Sequence, residues 1–334
     1  MLRRTGLALL AVACLGGHAE AQTYEVPRAY AIPLPPLSEP RWELGGRFWA
    51  SEGKTRFDIN SSKFDPTLGN PTSVLKYDDM DGYSGEFFWY ARNETNTFAK
   101  GFFGGGGLTG GNLDDEDYFA GQVKFSDTYS KLDGEGLLYG TIDLGQRFAL
   151  IDRGAKVSVS PLIGFNFWQE TAMAYGVRCN PDDVSNQDSL CGPPGEVLVP
   201  FSTKVIENEA NWASLRLGGE VRVKLWDRLT LIGDAAILPV AYVWAYDSHF
   251  LRKDLGPVPN GEDRGTGWGY QLEAEMRFDF TQSWSAGAGV RYWYAEAGRG
   301  NSEFVNFGLK VPLNDYTSER FGVFGDVTYR FATF

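Results

Sequence analysis

The stretch ASLRLGGEVRVKL at residues 213–225 decides the fold class. Apolar or small residues occupy every second position, from Ala213 and Leu215 to Leu225, whereas Arg, Glu and Lys stand between them. Successive side chains of a β-strand point to opposite faces, so this period of two predicts a strand with one apolar and one charged face. Residues 270–280 repeat the pattern, with Tyr, Leu, Ala, Met and Phe alternating against Gln, Glu and Arg.

The charged face carries both signs along a single strand. This suits a barrel lumen in which opposite charges pair, while the apolar face turns to lipid. A soluble β-sandwich also alternates, but it points its apolar face inward and usually has shorter strands. Aromatic residues stand near the ends of several strands, where a membrane barrel has its interfacial girdles: Trp42, Trp49, Trp89, Trp244, Trp284 and Tyr294.

The composition points the same way. Aromatic residues make up 15% of the chain, and 41 Gly and 16 Tyr are high numbers for a soluble domain of this length. Beyond the first 21 residues, no stretch approaches the ~20 consecutive apolar residues of a membrane-spanning helix, whereas short alternating strands need no such run. The net charge of −12 argues against a general nucleic-acid binder.

The connections between the strands set their number. Nine are recognisable from turn residues and polar stretches, and nine connections join ten strands. Short turns alternating with long loops are typical of outer-membrane barrels, with the long loops outside the cell. The sequence therefore predicts a ten-stranded antiparallel transmembrane β-barrel over residues 41–334. The tight turns fall at residues 93–96, 152–154, 227–228 and 281–283, and the long connections at about 52–73, 108–131, 175–207, 248–266 and 298–317.

The first 21 residues have the features of a secretory signal peptide. Arg3 and Arg4 precede an apolar run at residues 7–15, and Ala19-Glu20-Ala21 is a small-x-small cleavage site. Residues 22–40 are rich in proline, which a closed sheet does not accept, so they are predicted to form a periplasmic leader.

The chain has three cysteines. Cys14 lies in the signal segment after Ala11-Val12-Ala13, so a lipoprotein signal is an alternative to simple cleavage. Cys179 and Cys191 bracket a polar stretch at residues 180–190, and in an oxidising compartment they are predicted to form a local disulfide. A zinc site is the poorer alternative, because no histidine lies near them.

One histidine, His249, remains once the signal segment is removed. It ends a predicted strand in the run Asp247-Ser248-His249, and residues two apart on a strand share a face. A carboxylate beside an imidazole orients the ring and favours its protonated form. The pair is therefore a candidate for acid–base chemistry, although an incidental surface pair is the more frequent case.

Four consecutive acids, at residues 114–117, follow Gly110-Gly111-Asn112 at the entry to the second long connection. A solvated acidic loop and a calcium site are the alternatives to a catalytic role. The segment lacks the full Asp-x-Asp-x-Asp-Gly order of calcium ligands. The topology places this cluster and His249 at the same, extracellular end of the barrel.

These motifs resemble the omptin family of outer-membrane proteases, which are ten-stranded barrels. Gly110-Gly111-Asn112 ahead of Asp115-Glu116-Asp117 is similar to the family's Asp-x-Asp half of the active site, and Asp247-Ser248-His249 to its Asp-x-His half. Weaker matches are Gly53-Lys54-Thr55 and Trp168-Gln169-Glu170. The likeness covers essentially the whole mature chain, although most strands match only in pattern.

The resemblance implies a role for each of four residues. His249 would be the general base, polarised by Asp247, and a water between His249 and the Asp115/Asp117 pair would attack the scissile peptide carbonyl. Such a carboxyl pair titrates as a unit. We expect no metal and no cofactor, apart from the lipopolysaccharide on which omptins depend.

Two departures from the family pattern stand out. Phe57 and Ala245 occupy the positions where basic-specific omptins place the acids of the substrate pocket. In the lipopolysaccharide-binding pattern, Trp168 and Glu170 are present as expected contacts, but Ala172 stands where an arginine is expected. The second departure puts the role of lipopolysaccharide in doubt.

We therefore expect an omptin-like aspartic-type endopeptidase, a monomer in the cell outer membrane whose site faces the exterior and cleaves peptides or proteins. Outer-membrane lipid and lipopolysaccharide are its other expected partners, and nucleic acid is not. A non-enzymatic adhesin or envelope barrel is the alternative. An acyl hydrolase would want a serine paired with His249, and a diffusion porin would need a wider lumen than ten strands enclose.

Overall fold

The computed structural model describes residues 41–151, 155–180 and 191–331, and most of them are β-strand. The predicted signal peptide, the leader and the turn at 152–154 lie outside the described residues. No helix in the described ranges is long and apolar enough to cross a membrane. The strands are β1 (Arg41–Ile59), β2 (Ser73–Arg92), β3 (Thr97–Leu108), β4 (Asn112–Phe119), β5 (Val123–Leu132), β6 (Gly136–Gln146), β7 (Phe148–Ile151), β8 (Lys156–Cys179), β9 (Val197–Trp226), β10 (Leu229–His249), β11 (Gly261–Asp279), β12 (Trp284–Ala297), β13 (Gly300–Phe304) and β14 (Leu309–Arg330).

Antiparallel pairing closes these strands into a ring. β1 pairs with β2 along one side and with β14 along the other, so the first and last strands join the sheet to itself. Three positions in the ring are each occupied by two successive strands, namely β3 with β4, β5 with β6, and β12 with β13. The short β7 pairs only with the start of β8. The ring thus has ten positions, and the predicted ten-stranded antiparallel barrel is confirmed.

The outer face of the barrel is an apolar belt between two groups of aromatic rings. Trp284 and Tyr329 meet near the short turns, with ring centroids 4.9 Å apart, and Trp268 and Tyr294 meet near the opposite end at 6.0 Å. Trp49 departs from its predicted place in a girdle. It has no exposed surface, because its position in β1 turns it into the lumen. Exposed side chains of the belt include Phe48, Phe87, Phe103, Ile142, Ile163, Ile237, Met276 and Val323.

Charges on the inner face pair across the lumen. The Arg291 guanidinium lies 2.6 Å from Glu86 and 2.8 Å from Glu273, and neither Arg291 nor Glu86 has exposed side-chain surface. Arg47 reaches the same Glu273 at 2.9 Å and Asp326 at 3.3 Å. Similar pairs are Arg216 with Asp143, Lys100 with Glu220 and Asp234, and Arg277 with Glu275.

A layer of aromatic rings lies next to these charges. Trp49 contacts Tyr139 and Trp293 at centroid distances of 5.4 and 5.0 Å, and Trp168 contacts Trp293 at 5.6 Å. The Arg291 guanidinium lies 5.1 Å from the Trp49 ring, so the two layers are in contact. Side chains fill the lumen at this level, and the porin alternative therefore finds no support.

The long connections are shorter than the sequence predicted. β1 continues to Ile59, β11 already begins at Gly261, and the predicted connection at 108–131 contains β4 and most of β5. Polar residues such as Lys54, Arg56 and Glu116 occupy the outer face of these extensions, so the apolar half of the period-two pattern is missing there. The turns at 93–96 and 227–228 lie where they were predicted, and the last one spans 280–283.

Loss of a shared partner in the lumen should destabilise the barrel. Arg291→Ala leaves Glu86 and Glu273 to share Arg47. Because the buried carboxylates are then only partly compensated, the free energy of unfolding should fall by up to about 3–5 kcal/mol. Lys310→Ala is the control, because its pair with Glu303 at 3.1 Å is exposed and contributes about 1 kcal/mol or less. Urea unfolding in detergent, read from gel mobility, compares the two. Equal losses would contradict the importance of the lumen pairs.

Candidate active site

The candidate catalytic residues lie at the long-loop end of the barrel. Asp115 and Asp117 belong to β4, and Asp247 and His249 end β10. On β10 these two residues follow Trp244, whose ring stacks on that of its neighbour Tyr242 in the aromatic girdle of this end. The site therefore stands on strand extensions beyond the apolar belt.

Strand geometry sorts the four consecutive acids onto two faces. Glu116 points outward, where it accepts hydrogen bonds from Lys76 at 2.8 Å and Lys124 at 3.4 Å. Asp115 and Asp117 consequently point toward the barrel interior, since successive side chains alternate. The acidic run is neither a solvated loop nor a single cluster.

Asp115 and Asp117 hold protons more tightly than ordinary carboxyls. Burial and the charge of Asp117 raise the pKa of Asp115 to about 8. Burial also raises the pKa of Asp117, against a hydrogen bond from Ser73 and the positive charge of Arg252. Two carboxyls this close cannot both ionise at low cost, so the pair retains a proton at neutral pH.

His249 is fixed through its backbone. The buried Asn260 side chain accepts from the His249 N–H at 3.0 Å and donates to its carbonyl oxygen at 3.2 Å. Burial and the positive charge of Arg252 lower the pKa of His249 to about 4. The imidazole is therefore neutral at pH 7, which is the form a general base requires.

Asp247 has carboxyl neighbours instead of the imidazole. Within the described ranges, no hydrogen bond joins Asp247 to the His249 ring. Burial together with the charges of Asp263 and Asp115 holds the pKa of Asp247 well above its usual range. A protonated carboxyl cannot stabilise an imidazolium as a carboxylate does, so the Asp–His pairing implied by the family resemblance is not formed in this structure.

Two polar residues of the site escaped the sequence analysis. Asp263 is 2% exposed and lies opposite Ala245 in the β10–β11 ladder. Asn208 lies opposite Asp247 in the β9–β10 ladder and accepts a hydrogen bond from Tyr316 at 3.1 Å. Both fell at polar positions near or within predicted connections, and only the register between strands brings them to the site.

The two predicted pocket residues line the same interior. Phe57 is buried and stacks on Tyr316, with centroids 5.0 Å apart and planes 4° apart, and on Tyr77 at 6.4 Å. Ala245 has no exposed surface. The wall around Phe57 is therefore aromatic, and the acid that faces Ala245 is Asp263.

The predicted lipopolysaccharide contact of Trp168 and Glu170 does not fit the structure. Both side chains point into the lumen, where Trp168 packs on Trp293 and Glu170 accepts a hydrogen bond from Arg320. Their exposed fractions are 2% and 4%. A lipid outside the barrel wall cannot reach either of them.

A disulfide joins Cys179 to Cys191, with their Cα atoms 5.5 Å apart. Cys179 is the last residue of β8, so the bond anchors the connection between β8 and β9 to the barrel. Residues 181–190 of that connection lie outside the described residues.

Comparison with known proteins supports the fold. No protein-family model matches the chain, and no curated protein sequence matches it. The structure of the outer membrane protease OmpT from Escherichia coli is similar with a TM-score of 0.63 at 10% identity, over 87% of this chain and 97% of that one. A Pseudomonas aeruginosa FadL homologue matches with a TM-score of 0.25 at 8% identity, over 87% and 90% of the two chains, a fit too poor to inform the fold. The described residues therefore have the fold of an outer-membrane barrel of the OmpT kind.

Asn260→Ala should loosen the end of β10. The variant removes both hydrogen bonds to the His249 backbone, and such buried bonds contribute about 1 kcal/mol each. Hydrogen–deuterium exchange of residues 249–260 should therefore become faster. Asn93→Ala is the control, because Asn93 bonds the backbone of Thr97 in an exposed turn at the other end. Unchanged exchange in the Asn260 variant would show that the loop is held by other contacts.

Proposed function

We propose that this protein is an outer-membrane endopeptidase of the omptin type, with its site on the extracellular side. The observation that supports the proposal most strongly is the convergence of two separate motifs. Asp115, of the inward pair on β4, acts electrostatically on Asp247 at the end of β10, and His249 follows on the same strand. The fold similarity to an outer membrane protease agrees with this function.

The chemistry follows from the protonation states. Neutral His249 takes a proton from a water molecule as the oxygen attacks the peptide carbonyl. The Asp115/Asp117 pair binds the same water and holds one proton of its own. The proton on His249 then passes to the leaving nitrogen, which completes hydrolysis without net gain or loss of protons. A histidine with a pKa of about 4 stays available as a base into the acidic range.

Lipopolysaccharide remains part of the proposal as a lipid activator. The interior positions of Trp168 and Glu170 remove the two contacts that the family pattern suggested. A dependence on lipopolysaccharide would therefore need other outward-facing residues, and assays with and without this lipid test it directly.

One observation favours a non-enzymatic barrel. Asp247 faces other carboxyls, so His249 lacks the partner carboxylate that the resemblance to omptins implies. In an adhesin or envelope protein with this fold, the four candidate catalytic residues would carry out no reaction. Incubation of refolded protein with a mixed peptide pool separates the two functions, because only the protease releases new peptide ends.

His249→Ala should abolish most of the peptidase activity. Loss of the general base lowers turnover by a factor of about 10² to 10⁴, and the barrel stays folded because His249 lies beyond the belt. The measurement is the hydrolysis rate of refolded protein, with heat-dependent gel mobility as the check on folding. Glu94→Gln, in the exposed turn at the other end, should retain full activity. Full activity in the His249 variant would contradict the proposed chemistry.

Peptides with an apolar or aromatic P1 residue should be cleaved at least as well as those with Arg or Lys. A cationic P1 side chain needs a negative partner in a dehydrated pocket, since an unpaired buried charge costs several kcal/mol. Phe57 and Ala245 supply none. Asp263 carries a proton for much of the range below pH 7, because burial raises its pKa to about 7.

Cleavage of a peptide library measures this preference. Asp58→Ala is a suitable variant, because Asp58 is next to Phe57 but faces outward and bonds Asn314. Dominant cleavage after Arg or Lys that disappears in Asp58→Ala would show that the pocket residues are misplaced by one position.

A further inference from the structure

Two buried aspartates lie side by side on β10 and β11. Asp247 pairs with Gly261 in the ladder, and Asp263 pairs with Ala245. The two acids are therefore diagonal neighbours on the inner face, and the charge of Asp263 acts on the Asp247 carboxyl. Gly261 lets the β11 backbone lie close to the Asp247 side chain, because a Cβ atom at position 261 would lie 3.0 Å from the Asp247 Cβ.

Neither carboxyl is neutralised by a cation. Asp247 is 5% exposed and Asp263 is 2% exposed. The Oδ1 atom of each has no hydrogen-bond partner, and no lysine or arginine of the described residues forms an ion pair with either. Burying two unpaired carboxylates would cost far more than retaining a proton between them.

Among the residues that the structure describes, the surroundings of the two acids supply no positive charge. β2 contributes Tyr77, β4 contributes Asp115, and β14 contributes Tyr316, and each of them interacts electrostatically with one or both aspartates. On the neighbouring strands, Asn208 of β9 faces Asp247, and Ser302 of β13 donates a hydrogen bond to Asp263. Glu262 precedes Asp263 on the opposite face, where it pairs with Arg264.

We propose that Asp247 and Asp263 share one proton as a buried carboxyl pair, and that Asp263 is thereby a positioning residue of the active site. The pair presents an O–H donor toward the interior where two carboxylates would present only acceptors. In peptide hydrolysis, a consequence that rests on the proposed function, this O–H donates a hydrogen bond to the carbonyl oxygen under attack. The bond stabilises the negative charge that develops there.

The electrostatics of the two groups agree with a shared proton. Burial raises the pKa of Asp263 to about 7. Burial and the Asp263 charge hold the pKa of Asp247 well above its ordinary range. The pair should accordingly carry two protons below about pH 7, keep a single proton from neutral into alkaline pH, and lose it at higher pH.

A carboxyl titration tests the pair without any assay of activity. Refolded protein labelled with ¹³C at the aspartate carboxyls is titrated by NMR, alongside Asp247→Asn and Asp263→Asn. The wild-type spectrum should show two coupled signals. In each variant the remaining carboxyl should titrate at least about one pH unit below the second, more alkaline step of the wild-type pair, because a neutral amide replaces the acid. Two signals that titrate independently, each unaffected by loss of the other, would overturn the proposal. The reciprocal variants ensure that misfolding of one leaves the other as a test.

The pH dependence of kcat/KM tests the positioning role. In Asp263→Asn the alkaline limb should move to lower pH by at least about one unit, because Asp247 loses its proton earlier. Glu296→Gln is the matched control. Glu296 of β12 faces outward, where it accepts a hydrogen bond from Trp268, which lies on β11 with Asp263. An unchanged profile in Asp263→Asn would overturn the positioning role. A coupled titration in a protein that hydrolyses no peptide would instead sustain the shared proton and reject the proposed function.

Discussion

An ionisable group buried inside this barrel must either pair with an opposite charge or remain neutral. In the lumen the first solution holds, because the fully buried Arg291 guanidinium is shared by Glu86 and Glu273. These contacts join strands far apart in sequence and thereby stabilise the ring as a unit. At the mouth no cation of the described part of the chain pairs with Asp247 or Asp263, and the second solution applies. The cost of an unpaired buried charge thus produces fixed ion pairs in the lumen and carboxyls that can exchange a proton at the mouth.

The ring and its turns could be predicted because the belt imposes a strict alternation of side chains. An apolar outer face beside a charged inner face leaves a period of two that a single sequence displays. Beyond the belt both faces meet water or protein, so the alternation fades, and the sequence predicts a long connection where the structure has β4 and most of β5. Trp49 shows the same limit within the belt, because aromatic residues occupy the lumen as well as the girdles.

Only those features of the candidate site that depend on a single strand could be predicted from the sequence. Asp115 with Asp117, and Asp247 with His249, share faces by spacing alone. The neighbours across the ladders depend on register, which sets Asp247 beside Gly261 and Asn208. Register reflects all the pairings of the sheet together, so Asp263 could not be identified from its local sequence. The burial that shifts the pKa of Asp247 is likewise a property of the assembled mouth.

The outward anchoring of Glu116 has an evolutionary consequence. Lys76 and Lys124 hold the Glu116 side chain on the outer face of β4, so the residues before and after it, Asp115 and Asp117, point inward. A point mutation in β4 alters one side chain and leaves that arrangement intact. Insertion or deletion of a single residue would exchange the faces, carrying Asp115 and Asp117 outside and Glu116 inside. Lineages of this barrel should accordingly diversify the segment by substitution while its length stays constant.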